Sequence, residues 1–540
     1  MESLCPFDRS LVTSNAIPED EDVNRIQRVC AELSQDLSRM NAQIERLRAS
    51  LDAITQTRDA LHSRFSSLKS ITSPLRKFPV EVLQLIFINC LEQFSTISTT
   101  ESPLVLTQIC SRWRSIAIDT PELWTAIHIN IPQAYAFEPY SSKCNSIREG
   151  VQKFLMRSGH LPLSISLYSS NNNTNQEDIS EVTRTLEILE PYHKRWKHLY
   201  LQIPLRCMVV VEHLRGEDLP ILETTLICCS QVLGADIQNV TEHSVPFFEN
   251  APCLRQLSLG AWYGATIFKP TGAATWERIT HLIVGTGCWR LHLRDIIDML
   301  VMCFNLEECT ITVPSNDFST SDAIPLPKLR RMNLDGQYNE SSAQLLDLLI
   351  LPELRELTVI DVMRDHNSPL IQSIENLLRR SSCPLTRFRL RSGVSPNASP
   401  SPESMSALFK SMLDLNELIL SDGPLMTEGL LSAFTVVSPI SEVLCPKLTR
   451  IEFEDDFAFP EDALLSFLTA RLSPPTLSGV APLSQVSIKH ARPFISSRFS
   501  ELGESKQLVT SWSFKYRRQG SQGSGSCKPS SRELEGAAFG

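Results

Sequence analysis

At 540 residues the chain is too long for one compact globule, so several domains or an extended repeat array are expected. It is 42% hydrophobic and 21% charged, the composition of a folded soluble protein, and its formal net charge of −10 argues against a nucleic-acid binder with a broad basic face. No apolar run approaches the roughly 18 residues that span a bilayer, so no membrane partner is expected. The opening MESLCPFDRS lacks the apolar core of a secretory signal, so an intracellular protein, in cytoplasm, nucleus or both, is expected. Its 15 cysteines are then expected as reduced thiols. None forms a Cys-x-x-Cys pair and Cys228 adjoins Cys229, poor geometry for zinc, so neither a metal nor a cofactor is expected.

Residues 1–22 are expected to be disordered. From residue 23 to 70 apolar side chains recur in alternating steps of three and four. Val23, Cys30, Leu37, Ile44, Leu51, Arg58 and Phe65 occupy a positions, and Ile26, Leu33, Met40, Leu47, Ile54, Leu61 and Leu68 occupy d positions. So narrow a seam faces another helix in a coiled coil, which predicts a rod that forms a homodimer or pairs with another chain. The plainer reading is one long helix lying against the rest of its own chain. Arg58 at an a position weakens its layer and biases register or partner choice.

The helix is expected to stop before Pro74. In the stretch FPVEVLQLIF, Pro79 suits a first helical turn because its missing N–H costs nothing there. Val82, Leu83, Ile86 and Phe87 follow as an apolar stripe. A polar loop, STISTTES, precedes a second helical pattern through Val105, Leu106, Ile109, Cys110, Trp113, Ile116 and Ala117. Two such helices bury too little surface to fold well alone. Periodicity by itself leaves open whether they cap the following domain or dock a partner.

Phe78 and the residues after it resemble the first helix of an F-box, Leu-Pro-x-Glu-hydrophobic-Leu-x-x-Ile-Phe, with Phe78 in place of the usual Leu. LTQICSRWRSIA, residues 106–117, is similar to the F-box segment with a Val/Ile-Cys-x-x-Trp core, though the loop between the helices is longer than in the compact version. Together with TPELW at 120–124, the run 73–130 resembles the F-box-like proteins common in mushroom-forming fungi. The resemblance implies docking to a Skp-type adaptor, and through it a cullin, by helix-in-groove contact. Phe78, Pro79, Val82, Leu83, Ile86 and Phe87 would supply one share of the contact, and Leu106, Ile109, Cys110 and Trp113 the other. Some of these must form the box's own core, and the sequence does not sort them.

Beyond the box, from 131 to 515, one pattern recurs: an apolar residue, two variable ones, apolar, variable, apolar. LRQLSL, LRRMNL, LRELTV, LNELIL and LTRIEF begin at Leu254, Leu329, Leu354, Leu415 and Leu448. Looser copies begin at Trp124, Pro162, Trp196, Leu222, Ile279, Leu306, Leu385, Leu483 and Val509. Spacings of roughly 23–38 residues match an irregular leucine-rich-repeat solenoid. Its fold class is α/β, with short parallel strands stacking into a horseshoe and helices such as 344–350 and 371–378 between them. Prolines in Leu-Pro-x-Leu and Cys-Pro-x-Leu end a helix and aim the next strand, and Cys253, Cys383 and Cys445 beside them read as small buried hydrophobes.

Residues between the apolar ones should face outward. There Arg331, Arg387 and Arg389, with Asn333, form a local basic patch suited to an acidic or phosphorylated segment of a target; the plainer reading is a solvated face of mixed charge. Segments 169–178 and 392–404 read as loops, and 519–540 as a disordered tail. No phosphate-binding loop, nucleophile elbow or paired acid and base is found, so no catalysis is expected. Two readings remain. One is a substrate receptor of a cullin–RING ubiquitin ligase whose box holds the adaptor and whose solenoid holds an unidentified protein target. The other is an interaction scaffold with a coiled-coil rod and no ligase.

Overall fold

The structure, a computed structural model of the chain, describes residues 17–134, 139–169, 176–230, 248–260, 276–285, 293–313, 322–336, 339–361, 369–392, 401–421, 425–435, 443–454, 460–475, 479–490 and 509–514. The expected tail 519–540, residues 1–16 and most of the two polar loops lie outside the described residues. The chain divides into two compact units, Met1–Ile86 and Phe87–Gly540.

In the first unit, helix α1 runs Asp20–Ile71, 52 residues without Pro or Gly. It starts earlier than the heptads alone predict, so residues 20–22 are helical rather than disordered. Asp20, Glu21 and Asp22 fill its first turn, where carboxylates meet the positive end of the helix dipole. It ends before a 3-10 turn at Pro74–Lys77, after which α2, Val80–Asn89, begins.

The second unit is built on one open sheet of 15 strands, in sequence order and parallel throughout. Its strands are β1 Ser95–Thr96, β2 Ala126–Ile131, β3 Leu163–Ser169, β4 Trp196–Pro204, β5 Thr224–Ser230, β6 Gln256–Gly260, β7 His281–Val284 and β8 Glu308–Val313. They continue with β9 Arg331–Gly336, β10 Glu356–Asp361, β11 Arg387–Ser392, β12 Glu417–Ser421, β13 Arg450–Glu454, β14 Gln485–His490 and β15 Val509–Phe514. At every repeat start read from the sequence one of these strands begins at that residue or within two residues after it. The exception in the other direction is β1, a strand where only a loop was expected; it pairs Ser95 and Thr96 with Ile127 and His128 of β2.

The motif's physics is visible in each rung. The first apolar residue closes a turn by donating its N–H three residues back, as Leu329 does to Leu326 (3.3 Å), Leu354 to Leu351 (3.2 Å) and Leu448 to Cys445 (3.1 Å). The next residue donates its N–H to the carbonyl of its counterpart one rung earlier. Bonds of 2.8–2.9 Å of this kind link Lys197, Glu223, Arg255, Thr280, Glu307, Arg330, Arg355, Thr386, Asn416, Thr449 and Ser484 in series. Side chains then alternate: in β3, Leu163, Ile165 and Leu167 are buried and the residues between them are not.

Helices supply the other side of the core. They are α5 Tyr140–Arg157, α6 Gln176–Leu189, α7 Leu293–Met302, α8 Asn339–Leu348, α9 Leu370–Ser381, α10 Pro402–Lys410, α11 Glu428–Ala433 and α12 Glu461–Leu472, with α3 and α4 described below. The expected helix at 344–350 stops at Leu348, because Leu349–Ile350 pairs with Ile324–Pro325 as a small second sheet. The segments read as loops at 169–178 and 392–404 give up their last residues to α6 and α10, the latter capped by Ser401 accepting from the Ser404 N–H. Phe409, Phe434 and Phe467 pack edge to face, 5.1 and 6.5 Å between centroids, and tie successive rungs together. Arg471 is wholly buried and donates to the carbonyls of Cys445 and Leu448, both at 3.1 Å; burial pulls its pKa down to about 10. Of the cysteines read as buried, Cys445 is, Cys383 is partly so, and Cys253 is exposed.

Trp124 fixes the start of the array. Its indole N–H donates to the Ala117 carbonyl at 2.8 Å, its ring meets Phe154 edge-on at 4.8 Å, and the Arg157 guanidinium lies 4.4 Å from it. Trp124→Ala should therefore cost about 3–5 kcal/mol, read as a lower urea midpoint for the second unit.

Candidate functional site

The residues expected to face an adaptor fall into inward and outward sets. On α2, Leu83 and Phe87 lie one turn apart and are fully buried. Ile86 is half-buried and Pro79 exposed, while Val82 is 39% and Leu85 61% exposed. Phe78 is half-buried at the end of the preceding 3-10 turn. Leu85 was not singled out from the sequence. Its signal was present as the apolar residue on the other side of the Leu83–Phe87 stripe.

The second helical pattern is two helices, not one: α3, Leu106–Ile109, and α4, Ser111–Ile118. Cys110 between them is extended (φ −159°, ψ 169°), and its thiol sulfur accepts the Trp113 N–H at 3.4 Å, capping α4. Arg114 bridges the break by donating from Nε to the Thr107 carbonyl at 2.7 Å. The break leaves Leu106 buried and Ile109 56% exposed; Cys110 is exposed. Trp113 is half-buried with its ring 4.8 Å from that of Phe87. Of the expected adaptor-facing residues in this half, Leu106 is therefore core, and Ile109 and Cys110 are on the surface.

The β1 loop ties α3 and α4 to the sheet. Phe94 packs edge-on against Tyr200 at 5.1 Å. Ile97 lies over Gly150 of α5 so closely that a Cβ there would come within 2.7 Å of its methyl. Glycine in mid-helix, ordinarily destabilising, admits this approach.

On the sheet, the row is balanced in charge, as the plainer reading has it, rather than a cationic patch. In-register pairing aligns His281, Glu308, Arg331, Glu356, Arg387, Glu417 and Arg450 on successive strands. Glu308 contacts both His281 (3.3 Å) and Arg331. Arg387 spans Glu356 at 3.0 Å and Glu417 at 2.7 Å, and Glu417 also meets Arg450 at 3.3 Å. Burial works against the Arg387 charge, yet its bonds and proximity to Glu417 and Glu356 carry its pKa upward. Two residues along, Asn333 donates to Thr310 at 3.1 Å, and Arg389 is aligned with Thr358 and Ile419. Arg331 and Arg387 thus belong to a neutralised ladder. Its members occupy the same third position of successive repeats, 23–33 residues apart, and form the mixed-charge face of the plainer sequence reading; the individual pairings are what the sequence did not supply.

Buried thiols are held protonated: burial pushes Cys207 and Cys383 up to about 11 and Cys303 and Cys445 up to about 12. Among the described residues no group of three or more His, Cys, Asp or Glu side chains could hold a metal ion, and no helix is long and apolar enough to cross a membrane. No protein-family model matches the chain, and no curated protein matches it.

The ladder predicts that Arg387→Glu, which lines up three carboxylates, destabilises the array by about 1–2 kcal/mol after allowance for solvent screening. Arg387→Met should cost less, and high salt should narrow the gap between the two in urea titrations. A pH effect follows from His128, His198 and His281, all held below 6.5 by burial first. Glu101 opposes the shift at His128, Glu223 opposes and Lys197 adds to it at His198, and Glu307 opposes and Arg331 adds to it at His281. Below 6.5 the unfolded chain binds protons before the folded one, so stability falls as pH drops. The urea midpoint should be lower at pH 5.5 than at 7.5, and His198→Gln should flatten that dependence.

Proposed function

We propose that the chain is the substrate-recognition subunit of an SCF-type cullin–RING ubiquitin ligase. The F-box-like segment 73–130 docks a Skp-type adaptor, and the sheet, a leucine-rich-repeat-like array, holds the target protein. The observation that carries the reading is the division within the box helices. Leu83, Phe87 and Leu106 are spent on the interior, while Val82, Leu85 and Ile109 keep large apolar side chains in solvent. Helices that only capped a domain would gain nothing from that exposure, whereas a docking helix needs it. The ladder on the sheet serves rung order, which leaves target recognition to the polar column beside it, Thr310, Asn333, Thr358 and Arg389. On this reading the chain does no bond chemistry. It holds a target lysine near a charged ubiquitin-conjugating enzyme, and the rate gain is that of proximity.

The test is co-purification of the full chain with a Skp-type adaptor, beside the double variant Val82→Asp with Ile109→Asp. Both positions are exposed, so the variant should melt like the wild type. Carboxylates forced into an apolar contact should weaken adaptor binding about a hundredfold or more. Wild type that folds and leaves the adaptor unbound would overturn the proposal in favour of a scaffold without ligase function. Leu83→Asp is the contrasting control, expected to unfold the box itself.

A further inference from the structure

On α1 the heptad residues Leu33, Leu37, Met40, Ile44, Leu47 and Leu51 are 45–64% exposed, and the stripe continues uncovered to Leu68. A row of this length demands a cover, and the charges along the helix say which. Residues 20–45 carry six carboxylates (Asp20, Glu21, Asp22, Glu32, Asp36, Glu45) against three arginines. Residues 46–71 carry five cations (Arg46, Arg48, Arg58, Arg64, Lys69) against Asp52 and Asp59. The helix is acidic in its first half and basic in its second.

We infer that α1 pairs with the α1 of a second copy in antiparallel orientation. A parallel pair in register would stack like half on like half. It would also set Arg58 against Arg58 on the seam and Arg64 beside Lys69 at its flank, with no opposite charges paired between g and e positions. Reversing one helix lays each acidic half along a basic one. With full overlap Ile44 meets Leu47, Leu37 meets Ile54, and Arg58 falls opposite Leu33. The Arg58 stem can then lie along that leucine while its guanidinium reaches Asp36, one turn on. Its present pair, with Asp59 at 2.6 Å, is largely exposed to water and easily exchanged. The like-charge contact of this register, Arg48 against its copy, is offset by the Glu45 that each Arg48 already holds at 2.8 Å. The two chains then leave the rod at opposite ends, about 78 Å apart at 1.5 Å per residue. This inference stands independently of the ligase reading.

The experiment uses two full-length forms distinguishable by tag size, Val23→Cys and Leu68→Cys, both carrying Cys30→Ser, mixed and mildly oxidised. An antiparallel pair joins Val23→Cys to Leu68→Cys and neither to itself, and sedimentation gives a dimer whose dissociation constant rises at least about tenfold between low and high salt. Homotypic disulfides at both positions would mean a parallel pair. A monomer at tens of micromolar would mean that something other than a second copy covers the stripe. Either result overturns the inference.

Discussion

The register of the sheet is held by a hydrogen bond that repeats from rung to rung, donated by the residue after each repeat's first apolar side chain and accepted by the same residue's carbonyl one rung back. A strand of five or six residues has no partner of its own, and its helix cannot bury the strand's apolar side alone. The bond solves both problems together. It fixes where the next strand starts and therefore which of its side chains face the helices. A slip of one residue would turn leucines outward and polar residues into the core along the whole strand. The proline-containing turns, irregular helices and variable spacings are tolerated because they lie between points that this bond has already set.

Once register is fixed, equivalent positions become spatial neighbours, and the charge ladder follows. Glu308, Arg331, Glu356, Arg387, Glu417 and Arg450 alternate in sign without interruption. Each exposed pair is weak taken singly. Their collective effect is on order: exchanging two neighbouring rungs, or skipping one, would set like charges side by side. In an array whose apolar contacts are nearly interchangeable, such a column distinguishes the correct neighbour from a similar one. Two of the residues that look like a cationic binding patch in the linear sequence, Arg331 and Arg387, are in this sense directed along the array, toward their neighbours.

What could be read from the sequence divides along the same line. Strand positions were legible because the apolar spacing is a local pattern and the strand begins within two residues of its start. The long helix was legible for the same reason. Helix ends were less so: Ser401 and Pro402 look like more of a proline- and serine-rich loop until the cap at the Ser404 N–H is seen. The break at Cys110 was illegible, since apolar periodicity runs straight through it and no Gly or Pro marks it. A thiol accepting a backbone N–H is a weak cap with no distinctive sequence signature. The stripe on α2 was read, but which of its members were core depended on rings brought from elsewhere, Trp113 against Phe87 among them. The mixed charge of the ladder's face was legible once the repeats were aligned, but which carboxylate each arginine meets depends on side-chain reach that the alignment does not contain.

The strand at Ser95–Thr96 bears on how the proposed receptor would work. A box joined to its array by a flexible tether would let a bound target sample a wide volume, and most of the gain from proximity would be lost. Here the loop between the box helices is itself the first strand of the sheet. Ile97 is pressed onto Gly150, Phe94 onto Tyr200, and Trp124 holds α4 to α5 through Ala117 and Phe154. Helices α3 and α4 are thus an extension of the array. The longer loop, a departure from the compact F-box in sequence terms, becomes the element that makes this half of the box rigid with respect to the surface that would hold the target. Rigid mounting of a contact surface is what a device acting by position alone requires.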